Sequence, residues 1–368
     1  MKNLSLCSLL FLLFMFVTGC SEEPVATEAP SVDPTATSTI SAPQESSTEG
    51  FTTPLFGLAT APNGNILVAD SGAGIANASG VIEIPLPGVT DIAPIGSGSM
   101  WATTGAAGGE DGAITDTGQG LHQVSNGNIK LIANLFAYEE ANDPDGAGVD
   151  SNPFGVASLG GNAALVTDSG GNDLLRVDKQ GNIEVIALFP DELVSTANLK
   201  SLVGCPNPDF ASICDLPEMI PAQAVPTSVA VGSDGYYYVG ELKGFPAPAG
   251  ESNIWRISPD ASGEECGTGA RSEKLFDGGF TSIIDLVFCE DGKLYVAELD
   301  ELSWFAVEVL GGGVGGTISA IDLATLEVEV VASEIPGLTG ITFGKDGTLW
   351  AITNALNPEL AEVIEIPR

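Results

Sequence analysis

Carboxylates recur at matching places along this 368-residue sequence, each at the end of a short apolar run. The runs are "ILVAD", "ALVTD", "YYYVGE" and "KLYVAE", and they end on Asp70, Asp168, Glu241 and Glu298. Carboxylates that meet at one point can hold a hard cation such as calcium. They can also accept hydrogen bonds from backbone N–H groups of the Gly-rich turns that follow them. We favour turn capping, because Thr104 and Thr353 occupy the equivalent places of two further runs.

Other residue types that could do chemistry are scarce. His122, the only histidine, lies in "GLHQVSNGNI" at an expected third-strand position, which favours a half-exposed strand residue over a general base. No Cys/His cluster has the spacing of a zinc site. Asp143, Asp145 and Asp150 lie in "NDPDGAGVD", which is similar to a calcium loop but lacks the twelve-residue spacing and terminal Glu of an EF-hand. An ordinary acidic loop is therefore the favoured interpretation.

The acids belong to hairpin signals that repeat six times. Each repeat has a Gly-centred turn between two apolar, alternating runs, which is the strongest short-range signal of a β-hairpin. The repeats are "PNGNILVAD" (62–70), "GSGSMWATT" (96–104), "GGNAALVTD" (160–168), "SDGYYYVGE" (233–241), "EDGKLYVAE" (290–298) and "KDGTLWAIT" (345–353). Further strands follow most hairpins, and no stretch has a sustained helical period. The sequence therefore predicts an all-β, six-bladed β-propeller with four-stranded blades.

The first and last repeats are irregular. Only "GVIEIPLPGV" lies between the first hairpin and the next repeat, so the first blade is expected to be short of its outer strand. The last repeat ends with "EVIEIPR", which leaves its fourth strand unsupplied. We expect the ring to close with a strand from the N-terminal side, for which "SSTEGF" before Thr52 is the only candidate.

Propeller topology divides the loops between two faces. The tight hairpin turns share one face, here called the trimmed face. Loops after second strands and links between blades share the opposite face, here called the elaborated face. It carries the long insertions "GAAGGEDGAITDTGQG", "AYEEANDPDGAGVDSNP", residues 191–225, "LKGFPAPAGESN" and "LDELSWFAVEVLGGGVGG". Because elaborated loops usually bind partners, we expect a protein or small-molecule ligand on this face, near the four carboxylates at the channel mouth.

The N-terminal residues indicate export and anchoring. Residues 1–20 combine Lys2, the apolar run "LCSLLFLLFMF" and the lipobox-like "VTGC", which predicts a lipoprotein signal peptide with the lipid on Cys20. Residues 21–50 contain no Lys or Arg and little that can pack, which predicts a disordered tether. The domain at 51–368 is then expected in the cell envelope of a bacterium, outside the cytoplasm and anchored to a membrane. Ordinary secretion, with Cys20 as a bystander, is the alternative.

The overall charge excludes one class of partner. The formal net charge of -37 repels nucleic acid, so we expect no nucleic-acid binding. The same charge keeps an exported protein soluble, which accounts for most of the acidic residues.

Four cysteines follow the signal peptide and predict two disulfide bonds. Cys205 and Cys214 lie in one link between blades, on the elaborated face. Cys266 and Cys289 lie in hairpins on the trimmed face. Because the Cα atoms of a disulfide lie within about 7 Å of each other, a bond cannot join the two faces. We therefore predict the pairs Cys205–Cys214 and Cys266–Cys289 in an oxidising compartment.

Two segments resemble the ScyD/ScyE family of exported propeller proteins. They are "DSNPFGVASLGGNAALVTDSGGNDLLRVDKQGNIEVIALFP" and "PTSVAVGSDGYYYVGELKGFPAPAGESNIWRI". The stretch "ALVTDSGGNDLLRVD" is also similar to the broader NHL repeat. The resemblance runs from about Thr53 to the C-terminus, and it implies a propeller with no established catalytic residues. The signal peptide and the tether lie outside it.

These observations favour a lipid-anchored binding or scaffold module over an enzyme. The alternative is a calcium-dependent hydrolase or lactonase of propeller fold, in which Asp70, Asp168, Glu241 and Glu298 would hold the metal at the channel mouth. No Asn stands at an equivalent position to complete such a ligand set, which weakens this alternative.

Overall fold

The computed structural model describes residues 50–96, 98–106, 116 and 118–367. The predictions of a signal peptide, of lipidation at Cys20 and of a tether over residues 21–50 therefore fall outside the described part, apart from Gly50. The described chain forms a six-bladed β-propeller, which confirms the fold prediction. None of its helices has the length and apolar character needed to cross a membrane.

Each blade is an antiparallel sheet whose strands follow chain order, with the first strand next to the central channel. Blade 1 consists of β1 (Leu55–Thr60), β2 (Ile66–Asp70), β3 (Gly74–Asn77) and β4 (Ile82–Pro85). Blade 2 consists of β5 (Val89–Gly96), β6 (Ser99–Thr104), β7 (Gly120–Ser125) and β8 (Asn128–Asn134). Blade 3 consists of β9 (Pro153–Ser158), β10 (Ala163–Asp168), β11 (Asp173–Asp178) and β12 (Ile183–Leu188).

The second half of the ring repeats this order. Blade 4 consists of β15 (Pro226–Val231), β16 (Tyr237–Glu241), β17 (Ser252–Ile257) and β19 (Ser272–Phe280). Blade 5 consists of β20 (Ile283–Phe288), β21 (Leu294–Glu298), β22 (Gly316–Ile321) and β23 (Val328–Ile335). Blade 6 consists of β24 (Ile341–Phe343), β25 (Leu349–Thr353) and β26 (Glu362–Ile366).

The two terminal blades differ from the expectation in opposite ways. Blade 1 is complete, because the alternating "IEIP" of β4 pairs with β3; the prediction that it lacks its outer strand is wrong. Blade 6 has three strands in the described chain. Most of the candidate closing strand, residues 46–51, lies outside the described part. Within it, Phe51 packs against Leu55 and Ile352, at the junction of blades 1 and 6.

The core consists of apolar clusters between neighbouring blades. Trp101 of blade 2, for example, packs in one cluster with Val156 and Val166 of blade 3. Tyr238 of blade 4 packs with Val296 of blade 5. Full burial of one such large side chain stabilises the fold by roughly 2–3 kcal/mol. Because side chains alternate along each strand, apolar residues lie on both faces of a blade, and every blade packs against its two neighbours.

Most insertions follow second strands or connect blades, and so lie on the elaborated face as expected. They form α1 (Leu135–Asn142), the hairpin of β13 (Glu192–Ser195) and β14 (Met219–Ala222), α2 (Ala197–Leu202), a 3-10 turn (Pro208–Phe210), α3 (Ala211–Cys214) and α4 (Trp304–Glu308). Helix α1 begins where the Asn134 side chain accepts a hydrogen bond from Ala137 N. It ends at Asp143, which adopts a left-handed conformation with φ 41°.

One predicted disulfide is present and the other is not. Cys205 and Cys214 are bonded, with their Cα atoms 5.6 Å apart. The predicted Cys266–Cys289 bond is wrong. The chain before Cys266 forms a short strand, β18 (Glu264–Glu265), which pairs with the outer strand of the preceding blade 3. Cys266 therefore packs with Trp255 between blades 3 and 4, whereas Cys289 packs against a different cluster.

Candidate functional site

Two of the predicted carboxylates bind backbone donors of their own blades. Asp70 is fully buried and accepts hydrogen bonds from Thr52 N at 2.7 Å and Gly72 N at 3.2 Å. Asp168 accepts from Asn152 N at 2.5 Å, and also from Ser151 Oγ and the N–H groups of the next turn. Each acid therefore ties the segment that enters its blade to the turn after the second strand.

The third carboxylate, Glu298, contacts the segment that enters its blade. It accepts a hydrogen bond from Thr281 N, 2.5 Å away, in the segment that leads into blade 5. Burial raises the pKa of Glu298 to about 7, although the Thr281 N–H opposes the shift. Burial also raises the pKa of Asp168, against the effect of its hydrogen-bond donors. Asp70 and Asp168 thus bind N–H groups of the turns that follow them, as turn caps do, whereas the Glu298 contact is to the segment before its blade.

The fourth carboxylate, Glu241, lies in a buried ionic network of blade 4. Its oxygens accept hydrogen bonds from Trp255 Nε1 at 2.5 Å and from Asn253 Nδ2 and Lys243 Nζ at 2.7 Å. The Lys243 ammonium is fully buried and also contacts Glu192 Oε2 at 2.5 Å. The acid at the end of "YYYVGE" thus holds the motif "GELKGFP" against the third strand of its blade.

The network has a defined charge arrangement. Burial raises the pKa of Glu241, and the Lys243 charge opposes the increase. Glu192 behaves differently, because hydrogen bonds from Lys243 and Lys274 outweigh burial and lower its pKa to about 2. The carbonyl oxygen of Lys243 accepts a hydrogen bond from Trp304 Nε1 at 2.9 Å. The network therefore also positions helix α4.

The structure does not gather the four predicted carboxylates into one ligand set. In the described part of the chain, the group whose oxygens lie close enough for one ion consists of other residues, Glu139, Asp143 and Asp145. Thr104 and Thr353, at the equivalent places of blades 2 and 6, bond to carbonyl oxygens of Gly118 and Pro336.

The histidine occupies a strand position, as expected. His122 lies on β7, the third strand of blade 2, and its Nε2 is 2.9 Å from Thr104 Oγ1. Burial lowers the pKa of its imidazole.

A ring of equivalent positions on the channel-lining first strands was not anticipated from the sequence. This waist ring takes one residue from each first strand or the segment just before it: Gly57, Asp91, Gly155, Ser228, Asp285 and Gly340. The pairing of first and second strands is irregular beside this ring in blades 1 to 5, as at a β-bulge. Aligning "FGLA", "TDIA", "FGVA", "TSVA", "IDLV" and "TGIT" shows the two acids among Gly and Ser.

The two acids of the waist ring bind the N–H groups that the bulges leave. Asp91 accepts hydrogen bonds from Ile92 N at 2.7 Å and Val156 N at 2.8 Å. Asp285, on the opposite blade, accepts from Leu286 N and Ile341 N, both at 2.8 Å. A side chain at Gly57 would collide with the Asp91 carboxylate. Each acid therefore links its own blade to the next one.

Burial dominates the electrostatics of this ring. It raises the pKa of Asp91 to about 7, against the effect of the two N–H donors. The pKa of Asp285 is raised well above its usual range by burial and by the charge of Asp91. Because like charges in a desolvated channel repel each other, the waist ring carries fewer negative charges at neutral pH than it has carboxyl groups.

A small pocket lies at the elaborated end of the channel, and we call it the mouth pocket. Its apolar walls are Phe56, Phe154, Val225, Leu242, Ile284, Leu299 and Leu356, and its polar groups are Asn152, Ser169, Thr227, Glu308 and Thr339. Phe56, Phe154, Thr227, Ile284 and Thr339 each directly precede a member of the waist ring. The blade ring and the long loops thus build the pocket together.

Two polar atoms of the mouth pocket have no hydrogen-bond partner in the described chain. They are Glu308 Oε2 and Thr339 Oγ1, and both are shielded from solvent. Burial alone raises the pKa of Glu308 to about 8, so at neutral pH the carboxyl group is mostly protonated. A protonated carboxyl both donates and accepts a hydrogen bond. The pocket therefore offers a neutral donor–acceptor pair within apolar walls.

A wider groove on the trimmed face has fewer polar groups available to bind a ligand. It lies between blades 4 and 5 and contains Arg256, Lys274 and Lys293. Each of these bases already has an acidic partner, for example Asp234 for Arg256 and Glu329 for Lys293. The groove therefore presents no basic side chain that lacks an acid.

Comparisons with known proteins found distant structural similarity but no family. No protein-family model matches the sequence, and no curated protein is significantly similar to it. Among solved structures, a streptogramin B lyase is 18% identical with a TM-score of 0.46, covering 84% of this chain and 79% of that one. Virginiamycin B lyase from Staphylococcus aureus is 16% identical with a TM-score of 0.48, covering 87% of each chain.

A nidogen/laminin complex is 12% identical with a TM-score of 0.43, covering 81% of this chain and 84% of that one. At these identities the similarities concern the course of the chain and carry no information on activity.

Proposed function

We propose that this propeller is a lipid-anchored, extracytoplasmic binding module of the ScyD/ScyE family that takes a small ligand in the mouth pocket. The observation that carries the proposal is the pair of buried polar groups, Glu308 and Thr339, that face an apolar pocket without partners in the described chain. An apolar pocket with a few convergent polar groups and a perturbed pKa is the usual form of a ligand site.

The pocket chemistry defines the class of ligand. Its walls favour an apolar body, and the protonated Glu308 with Thr339 favours a polar end that both donates and accepts hydrogen bonds. An unsatisfied buried polar group costs about 1–3 kcal/mol, so a ligand that pairs with both groups removes that cost. Because burial keeps the Glu308 carboxyl uncharged, the pocket offers an anion no attracting charge. Because the free volume of the pocket is only about 20 Å³, enough for roughly one water-sized group, we expect a ligand that inserts a small, uncharged end into it.

The anchoring part of the proposal rests on the N-terminal sequence. The apolar run and "VTGC" support lipidation of Cys20, and residues 21–50 have the composition of a tether. Such a tether would hold the propeller off the membrane with its pocket accessible. The ScyD/ScyE assignment rests on the resemblance of the two quoted segments. The role of "GELKGFP" in positioning helix α4 gives that motif a structural reason to be distinctive.

A calcium-dependent hydrolase of the same fold has weaker support. Asp70, Asp168 and Glu298 are each engaged by backbone N–H groups, and Glu241 by Lys243. The four carboxylates therefore do not surround one open coordination position, which such an enzyme would need.

The proposal is tested by methyl NMR with a library of small, uncharged fragments. The Ile284 methyl group lies in the mouth pocket, whereas Ile129 is exposed on the outer strand of blade 2 and serves as the internal reference. We expect saturable shifts at Ile284 and none at Ile129. A library that leaves Ile284 unchanged, or shifts both methyl groups alike, would contradict the proposed site.

A further inference from the structure

A second group of acids surrounds the end of helix α1, where blade 2 leads into blade 3. We call Glu139, Asp143, Asp145 and Asp173 the acidic cluster. Glu139 lies on α1, Asp143 ends that helix, Asp145 follows in the Gly-rich loop, and Asp173 begins β11. None of these residues is among the four second-strand carboxylates.

The geometry of the cluster suits a single ion. One carboxylate oxygen each from Glu139, Asp143 and Asp145 lies within 4.8 Å of the other two. The loop holds its acids in place, because Gly148 N donates to Asp143 Oδ1 at 3.1 Å and Ala147 N donates to Asp145 Oδ1 at 2.9 Å. A carboxylate oxygen has two lone pairs, so an oxygen that accepts one of these hydrogen bonds can still coordinate an ion.

The second observation is independent of this spacing. Glu139 is 2% exposed and Asp173 is 1% exposed, yet Glu139 Oε1 and Asp173 Oδ1 have no hydrogen-bond partner in the described chain. Nor does any ion pair between described residues involve either acid. Apart from Glu308 in the mouth pocket, the other buried carboxylates described above have hydrogen-bond donors, so the unpartnered oxygens of Glu139 and Asp173 require an explanation such as a bound ion.

The neighbouring charges agree with this requirement. Glu139 lies close enough to Asp168, Asp145 and Asp143 for their negative charges to repel its own. Asp173 is repelled in the same way by Asp168 and Glu139. A bound cation would offset this repulsion.

We propose that the acidic cluster is a calcium-binding site, with Glu139, Asp143 and Asp145 as ligands and with Asp173 as a nearby carboxylate whose negative charge the ion offsets. All donors are hard carboxylate oxygens, which calcium and magnesium prefer, and the cluster includes no Cys or His that would favour zinc. A Gly-rich loop with irregular geometry suits the variable coordination of calcium better than the strict octahedron of magnesium. Backbone carbonyls and water would complete the coordination.

The ion would also stiffen one edge of the mouth pocket. Asp145 Oδ2 accepts a hydrogen bond from Asn172 Nδ2 at 3.2 Å, and Asn172 Oδ1 accepts one from Val225 N at 3.1 Å. Val225 is part of the pocket wall. The calcium site stands without the proposed ligand site, because its ligands do not line the pocket.

The test compares two neighbouring glutamates of one helix. Glu139→Gln removes a ligand charge, and Glu140→Gln makes the same change at the exposed next position. We expect calcium to bind the chelator-treated protein with a Kd between about 10⁻⁶ and 10⁻³ M, as for other carboxylate loops. At a hundredfold excess over Kd, the Tm should rise by about 5 °C. Glu139→Gln should weaken binding at least tenfold, and Glu140→Gln less than twofold.

Three results would overturn the proposal. The first is an unchanged Tm and no calorimetric heat with 10 mM calcium, a concentration of about ten times the weakest expected Kd. The second is equal binding by the Glu139→Gln and Glu140→Gln proteins. The third is a calcium response lost in Glu298→Gln but kept in Glu139→Gln, which would place the ion at the second-strand carboxylates instead. Because Gln at position 139 removes a buried acid, we expect that variant to fold, and circular dichroism would verify it.

Discussion

Replacing Glu308 by Gln should change how the stability of this propeller depends on pH. In the folded protein burial raises the pKa of Glu308 from 4.5 to about 8. Between those two values the folded state holds a proton that the unfolded state has released. The free energy of unfolding therefore falls as the pH rises through this window. Gln keeps the shape and a hydrogen-bonding head but cannot ionise, so its variant lacks this contribution to the pH dependence.

The size of the effect follows from the width of the window. Each pH unit is worth about 1.4 kcal/mol, so complete titration of Glu308 is worth about 5 kcal/mol. Oε2 is shielded from solvent, but the rest of the side chain is partly exposed, which makes this value an upper limit. We expect the difference in unfolding free energy between the wild-type protein and Glu308→Gln to decrease by about 2–5 kcal/mol from pH 5 to pH 8.5.

Urea unfolding at a series of pH values measures this difference. Asp91, Glu139 and Glu298 titrate with raised pKa values in both proteins, so subtraction isolates the contribution of Glu308. Glu327→Gln, at an exposed position of the same blade, is the control. Parallel curves for the wild-type and Glu308→Gln proteins would refute the reasoning, because they would mean that the Glu308 carboxyl ionises normally in the fold.

Two further changes test the buried network and the anchor. Lys243→Met leaves Glu241 and Glu192 without their buried cation and should destabilise the protein by about 3–5 kcal/mol in urea unfolding, whereas Lys293→Met at a surface ion pair should have little effect. Equal midpoints for these two variants would contradict the central role of the Lys243 ammonium. Cys20→Ala should release the protein from the membrane fraction, and sedimentation with membranes after a salt wash would show that the anchor lies elsewhere.

The repeats predicted the fold because their signals are local. A turn such as "EDGK" and the alternation around it determine a hairpin without reference to the rest of the chain, and six such hairpins define six blades. The prediction that blade 1 lacks its outer strand was wrong for a reason that is also local. The four residues of β4 are short, but they alternate and pair with β3.

The wrong Cys266–Cys289 prediction and the failure to anticipate the channel acids have a non-local cause. Cys266 follows β18, which pairs with the preceding blade, and no local pattern indicates such a contact. The waist acids Asp91 and Asp285 act on N–H groups of the next blade, which only the closed ring brings near. Likewise, Glu139 becomes part of a cluster because α1 folds over the loop that follows it. The sequence showed the acidic loop but not the buried acid beneath it.

The central claim is that the mouth pocket binds a small uncharged ligand. The most direct measurement is the calorimetric Kd of the best fragment for the wild-type protein and two variants. Leu356→Trp fills the pocket, and Leu326→Trp adds the same bulk in the groove on the trimmed face. We expect Leu356→Trp to weaken binding at least tenfold and Leu326→Trp to leave the Kd unchanged. Equal affinities for all three proteins would contradict it.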